Sequence, residues 1–86
     1  MATVTMRYWA AAKQAAGVAE ETISAETLGD ALAAAVAGRD GAATLRAVLA
    51  RSSFLVDGSP VGTRAPDSVR LADAAVVEVL PPFAGG

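Results

Sequence analysis

The stretch "AVVEVLPPFAGG", Ala75 to Gly86, sets the architecture. Its first half alternates, with Val77 and Val79 on one face and Val76, Glu78 and Leu80 on the other, the period of a half-buried strand. Pro81 ends that strand, because proline donates nothing to a ladder and pushes the preceding Leu80 into extended geometry. The sequence therefore closes on a strand and then a stiff, extended arm, Pro81 to Gly86.

A matching strand opens the chain. "TVTMRYW", Thr3 to Trp9, also alternates: Val4, Met6 and Tyr8 face one side, Thr5, Arg7 and Trp9 the other. "AAAKQAAG", from Ala10, predicts a short Ala-rich helical turn that Gly17 terminates. "EETIS", Glu20 to Ser24, predicts a second strand that returns along the first. Glu20 and Glu21 then point to opposite faces and both read as surface carboxylates, a weak acid/base pair.

"TLGDALAAAVAG" carries the clearest helix signal. Thr27 caps it, Asp30 sits in its first turn, and Leu28, Ala31, Leu32, Ala35 and Val36 recur at the spacing of one buried face. Gly38 is placed to stop it. "ATLRAVLARS" predicts a second, shorter helix with Leu45, Val48 and Leu49 on one side. "SFLVDGSPVG" predicts a strand, an Asp57-Gly58 turn and a short return strand at Pro60 to Thr63. Asp73 fits a turn before the last strand. The outline is α+β, a mixed sheet clasping one main helix.

Composition narrows the chemistry. Of 46 apolar residues among 86, 22 are Ala, so 24 larger side chains remain for one modest core. The absence of Cys excludes disulfides, thiol nucleophiles and zinc ribbons, and the absence of His removes the commonest general base. A net charge of −2 with seven scattered basic residues argues against nucleic acid as a partner. No apolar run is long enough to span a bilayer. The opening "MATVTMRYW" lacks the basic flank and apolar core of a signal peptide, so the expected location is cytoplasmic. "GRDG", Gly38 to Gly41, lacks the spacing of a phosphate cradle. No intrinsic catalytic constellation remains, and no permanently bound cofactor or metal is expected.

The arm is different. A closing Gly-Gly arises by chance in roughly one chain in 200 at about 7% glycine usage. A backbone without Cβ atoms passes through channels too narrow for any side chain, at the cost of ordering entropy. Six residues extend about 20 Å, and Pro81 and Pro82 preorganise the exit. Such an arm can carry the Gly86 carboxylate into a partner. A carboxylate is a sluggish electrophile; adenylation by ATP would make it a mixed anhydride, open to a sulfur nucleophile and convertible to a thiocarboxylate.

Together, the early "YW", the central helix and the ending "LADAAVVEVLPPFAGG" (Leu71 to Gly86) resemble the small subunit of molybdopterin synthase. That subunit is one of the ubiquitin-like β-grasp sulfur carriers, a group that includes the thiamine-pathway carrier. The resemblance covers essentially the whole chain and is strongest where the family closes on "LTDGDEV…PP..GG". It implies a β-grasp domain over residues 1–80 and a flexible tail over residues 81–86. It implies that Gly86 is adenylated by a ubiquitin-activating-type adenylyltransferase using ATP, and that a sulfurtransferase supplies the sulfur. The tail, Pro81, Pro82, Phe83, Ala84 and Gly85, would then enter the large synthase subunit. There the thiocarboxylate would donate sulfur to a pterin precursor, cyclic pyranopterin monophosphate, to build the dithiolene that holds molybdenum or tungsten.

By the same resemblance the catalytic residues belong to the large subunit, two carriers cap a central dimer as a heterotetramer, and this chain is not an enzyme on its own. Trp9 and Leu80 match partner-surface positions, and Lys13 matches a basic one. First and last strands neighbour each other in a β-grasp sheet, so Trp9 and Leu80 would share one exposed patch. Phe83 departs from the small aliphatic residue expected there. The residues by themselves leave other readings open: Trp9 as core filler, Leu80 as cover for a sheet edge, Lys13 as a solvated charge. At the level of function, alternatives are a carrier for cysteine, thiamine or another sulfur metabolite, a ubiquitin-like modifier joined to target lysines, or a non-covalent β-grasp module.

Overall fold

Strand β1 (Ala2–Tyr8) turns through helix α1 (Ala10–Ala16) into β2 (Glu20–Ala25), which runs back antiparallel from Glu20 opposite Arg7 to Ala25 opposite Ala2. The computed structural model describes residues 2–82. Gly17 closes α1 in the left-handed region (φ 81°), its N–H bonded to the Lys13 carbonyl at 2.9 Å. Helix α2 (Leu28–Val36) begins where Thr27 Oγ1 accepts the Asp30 N–H at 3.1 Å, the predicted cap. Helix α3 (Ala42–Arg51) follows, then β3 (Ser53–Val56), β4 (Ser59–Pro60), a 3-10 turn at Pro66–Ser68 and β5 (Val76–Leu80).

The five strands form one mixed sheet in the order β2-β1-β5-β3-β4. β5 lies parallel to β1, with Tyr8 beside Val79, and antiparallel to β3. This is the α+β, β-grasp arrangement the sequence predicts. Parity decides the layers. Val4, Met6, Tyr8, Val77 and Val79 are all buried on the inner face, under Leu28, Ala31 and Ala35 of α2 and Leu45, Val48 and Leu49 of α3. Each fully buried Val, Leu or Met stabilises the fold by about 1.5–3 kcal/mol through removal of apolar area from water. Among the described residues no helix is long and apolar enough to cross a membrane.

Three local differences have physical reasons. Helix α3, expected to be the shorter, has ten residues against nine in α2, so two helices of similar length share the inner face. Leu32 and Val36 sit at the core margin, half-buried, where α2 angles towards α3. The return strand is Ser59–Pro60 instead of Pro60 to Thr63: Asp57 (φ 49°) and Gly58 (φ 83°) reverse the chain tightly, setting Ser59 opposite Val56 and Pro60 opposite Leu55.

Candidate functional site

Strand β5 ends at Leu80 and is followed by Pro81 and Pro82. Its alternation runs past the strand: Val77, Val79 and Pro81 are buried, whereas Pro82 is exposed. Pro81 thus belongs to the inward-facing row and seats the base of the arm against the fold. Phe83, Ala84, Gly85 and Gly86, the last being the residue on which the sequence-based chemistry centres, lie outside the described residues.

Beside this exit stands Trp9. Its N–H bonds the Val79 carbonyl at 3.3 Å, extending the parallel β1–β5 ladder by one residue, and that register puts Trp9 next to Leu80 on the outer face. The indole is 46% exposed, which sets aside its role as core filler, and its Nε1–H donates to Glu78 Oε1 at 3.3 Å. Leu80 is half-buried. Arg7 completes the row: it lies between Glu20 and Glu78 in the sheet register and its Nε bonds Glu20 Oε2 at 3.3 Å. The outer face therefore offers an apolar corner, Trp9 and Leu80, backed by a Glu–Arg–Glu row.

Trp9 is also the N-cap of α1, and its carbonyl accepts the N–H groups of Ala12 (3.0 Å) and Lys13 (3.3 Å). Ala10, between them, takes the left-handed conformation (φ 47°), uncommon for a residue with a Cβ. One turn on, Lys13 is exposed and makes no ion pair among the described residues. Trp9, Lys13, Gln14 and the exposed Val18 line an open groove of about 650 Å³. A second groove, about 400 Å³ and lined by Leu32, Val36, Leu49 and Phe54, opens on the helix side of the sheet. Trp9 thus neighbours Leu80 across the ladder and Lys13 along the groove.

Sequence reasoning misplaced one residue. Glu20 and Glu21 do point to opposite faces, but Glu21 is not a plain surface carboxylate. On the inner face it accepts the Tyr8 hydroxyl at 2.5 Å and pairs with Arg39, whose guanidinium also donates to the Ala16 carbonyl. Burial first, then the bond to Glu21 and its negative charge, push the Tyr8 phenol well above its ordinary value, with Arg39 acting the other way. The available signal was a glutamate in the inward register of an amphipathic strand, opposite Met6.

Comparison with known proteins agrees with this fold. The model of the ThiS family matches residues 6–86. No curated protein matches the sequence at a significant level. Among solved structures, small archaeal modifier protein 1 from Methanosarcina acetivorans is similar with a TM-score of 0.82 and 24% identity, over 100% of this chain and 98% of that one. The same modifier from Haloferax volcanii gives 0.77 and 20%, over 98% and 99%. Subunit 1 or 2 in the complex of molybdopterin-converting factor subunits from Helicobacter pylori gives 0.68 and 23%, over 98% and 99%. The chain belongs to the ThiS family, and its fold is the ubiquitin-like β-grasp of sulfur carriers and small modifiers.

Proposed function

We propose, from that family membership, that the chain is a sulfur carrier acting as the small subunit of a molybdopterin synthase, with the Gly86 carboxylate as its reacting group. The observation that carries the reading is a family match running through residue 86, over a closing "PPFAGG" whose Pro-Pro precedes Gly-Gly by two residues. In support, the structure frees the chain from the sheet after a seated Pro81 and leaves an exposed apolar corner beside it. Five residues, Pro82 to Gly86, can span at most about 17 Å at about 3.3–3.6 Å each, a reach suited to a partner's interior.

The chemistry is acyl activation. A Gly86 carboxylate oxygen attacks the α-phosphorus of ATP on a ubiquitin-activating-type adenylyltransferase, and pyrophosphate leaves. The persulfide of a sulfurtransferase then attacks the acyl carbon and displaces AMP, and a second thiol cleaves the resulting acyl disulfide, releasing the thiocarboxylate and leaving a disulfide behind. The tail next enters the large subunit, whose residues catalyse transfer of sulfur to the pterin precursor. Trp9, Leu80 and Lys13 dock the globular part, and the carrier supplies a reactant, not a catalytic residue. A heterotetramer with the large subunit is the corresponding assembly.

A second reading, a modifier joined through Gly86 to target lysines, is favoured by the similarity to the Methanosarcina modifier. Both start from the same adenylate and differ in the nucleophile. Incubation with ATP, the adenylyltransferase and a sulfur source separates them by intact mass. Exchange of one oxygen for sulfur supports the carrier; addition of the chain to another protein supports the modifier. An unchanged mass, with an enzyme shown to be active, refutes both. Removing Gly86 should abolish the exchange, because the carboxylate then stops one residue short.

A further inference from the structure

We propose that Arg39, in the connection between α2 and α3, is a positioning residue for the docking surface: by tying the end of α1 to β1 and β2 it holds Trp9 and Lys13 in the arrangement a partner reads. The docking half of this inference rests on the function proposed above; the structural half does not.

Helix α1 needs such support. Seven residues are too few to be helical alone, and its apolar contact is small: Ala12 is fully buried and Ala15 and Ala16 are partly buried against the core. Its first turn starts from the left-handed Ala10. Beside that packing, a polar clamp restrains its far end. The Arg39 guanidinium donates to the Ala16 carbonyl, in the last residue of α1, and pairs with Glu21 of β2. The same Glu21 carboxylate accepts the hydroxyl of Tyr8, at the end of β1, and Arg39 Cζ stands 6.0 Å from the Tyr8 ring centre. Four segments meet in these contacts: β1, α1, β2 and the α2–α3 connection.

Two features make the clamp more than a surface ion pair. Its side chains are 18% (Arg39) and 27% (Glu21) exposed, so water screens them only in part. A guanidinium also donates from several nitrogens at fixed angles, which lets one side chain bridge a carboxylate and a helix carbonyl; an ammonium lacks that fork. The link to the docking corner is one peptide long. Tyr8 is buried inside the clamp and Trp9, the next residue, is exposed outside it as the N-cap of α1. Fixing Tyr8 and Ala16 fixes both ends of the element that carries Trp9 and Lys13.

The test compares the full chain with Arg39→Gln and Arg39→Lys. Amide hydrogen exchange should speed up at Lys13 and Gly17 by about tenfold in Arg39→Gln, as for loss of one charge-assisted hydrogen bond. Amides of Met6 and Val77 should keep their protection. In sulfur-transfer assays with the large subunit, thiocarboxylated Arg39→Gln should raise KM for the carrier by about fivefold or more with kcat unchanged, since docking is lost and chemistry is not. Arg39→Lys should recover only part of each effect. Unchanged exchange in α1 overturns the clamp. A clamp effect on exchange with an unaltered KM overturns the docking role, as does a fall in kcat that tracks global unfolding. If the wild-type chain is not adenylated at all, the proposed function fails and the docking role with it, while the exchange data still decide whether Arg39 holds α1.

Discussion

Tyr8 is the one tyrosine of the sequence, so its ionisation can be followed alone by ultraviolet absorbance. Its phenol is raised from an ordinary value of 10.0 by burial and by Glu21. The native state therefore holds the proton more tightly than the unfolded chain, and this contribution to stability is present in full below pH 10 and is lost as pH climbs beyond it. Glu21→Gln should lower the tyrosinate midpoint, and Tyr8→Phe should remove the alkaline decline in stability that Tyr8 causes; an unshifted midpoint in Glu21→Gln would show that Glu21 does not act on the phenol. A different residue carries backbone strain. Ala74 has φ 68°, its N–H bonds Thr3 O at 2.8 Å, and the neighbouring Asp73 carboxylate accepts the Thr3 N–H at 2.9 Å. This turn pins the start of β1 beside the start of β5, in a conformation that disfavours a Cβ. Ala74→Gly should stabilise the fold by about 0.5–1 kcal/mol, read as a higher urea midpoint. Alanine thus holds here a backbone conformation that glycine adopts without strain.

Among the elements, α2 depends on the side-chain cap that the sequence predicts. Thr27→Ala should cost about 1 kcal/mol of unfolding free energy and Thr27→Ser much less, because serine keeps the accepting oxygen; equal losses in chemical denaturation would mean that the hydroxyl is not what matters. This helix and strands β1 and β5 were legible because their periodicity is local: each buries one face, and that face is written at spacing two or three to four. Other elements were not, for want of such a record. β4 is two residues long and exists only through pairing with Leu55 and Val56, so no pattern could mark its ends. The length of α3 relative to α2 depends on how the two pack, and both are Ala-rich. Glu21 looked like surface because a charged residue usually is. Its partner Arg39 stands 18 residues away, beyond the reach of any window of periodicity.

At the scale of the whole molecule, the site was legible in two unequal parts. Parity along two strands gave the Trp9–Leu80 corner, since residues opposite to a buried row must face outward and parallel neighbours bring them together. The composition of the arm pointed to Gly86 as the reacting end, and that residue lies outside the described residues. The clamp behind the corner was hidden, because it joins four segments through polar contacts that no single segment announces. This division predicts that stability and docking separate under mutation. A chain of 86 residues has a stability of about 5–10 kcal/mol. Met6, fully buried on the inner face, should cost about 2–5 kcal/mol when truncated to Ala, lowering the melting temperature by roughly 4–8 °C per kcal/mol. The folded fraction of that variant should nevertheless bind its partner normally, because the outer face is intact. Trp9→Ala should do the reverse. At 46% exposure it contributes little to the core, so the melting temperature should move by only a few degrees. If Trp9 is an aromatic anchor for the proposed large subunit, its loss should weaken that binding by about 30-fold or more. Calorimetric titration at a temperature where both variants are folded measures the two effects side by side, and a Trp9→Ala protein that binds as tightly as the wild type would remove Trp9 from the interface.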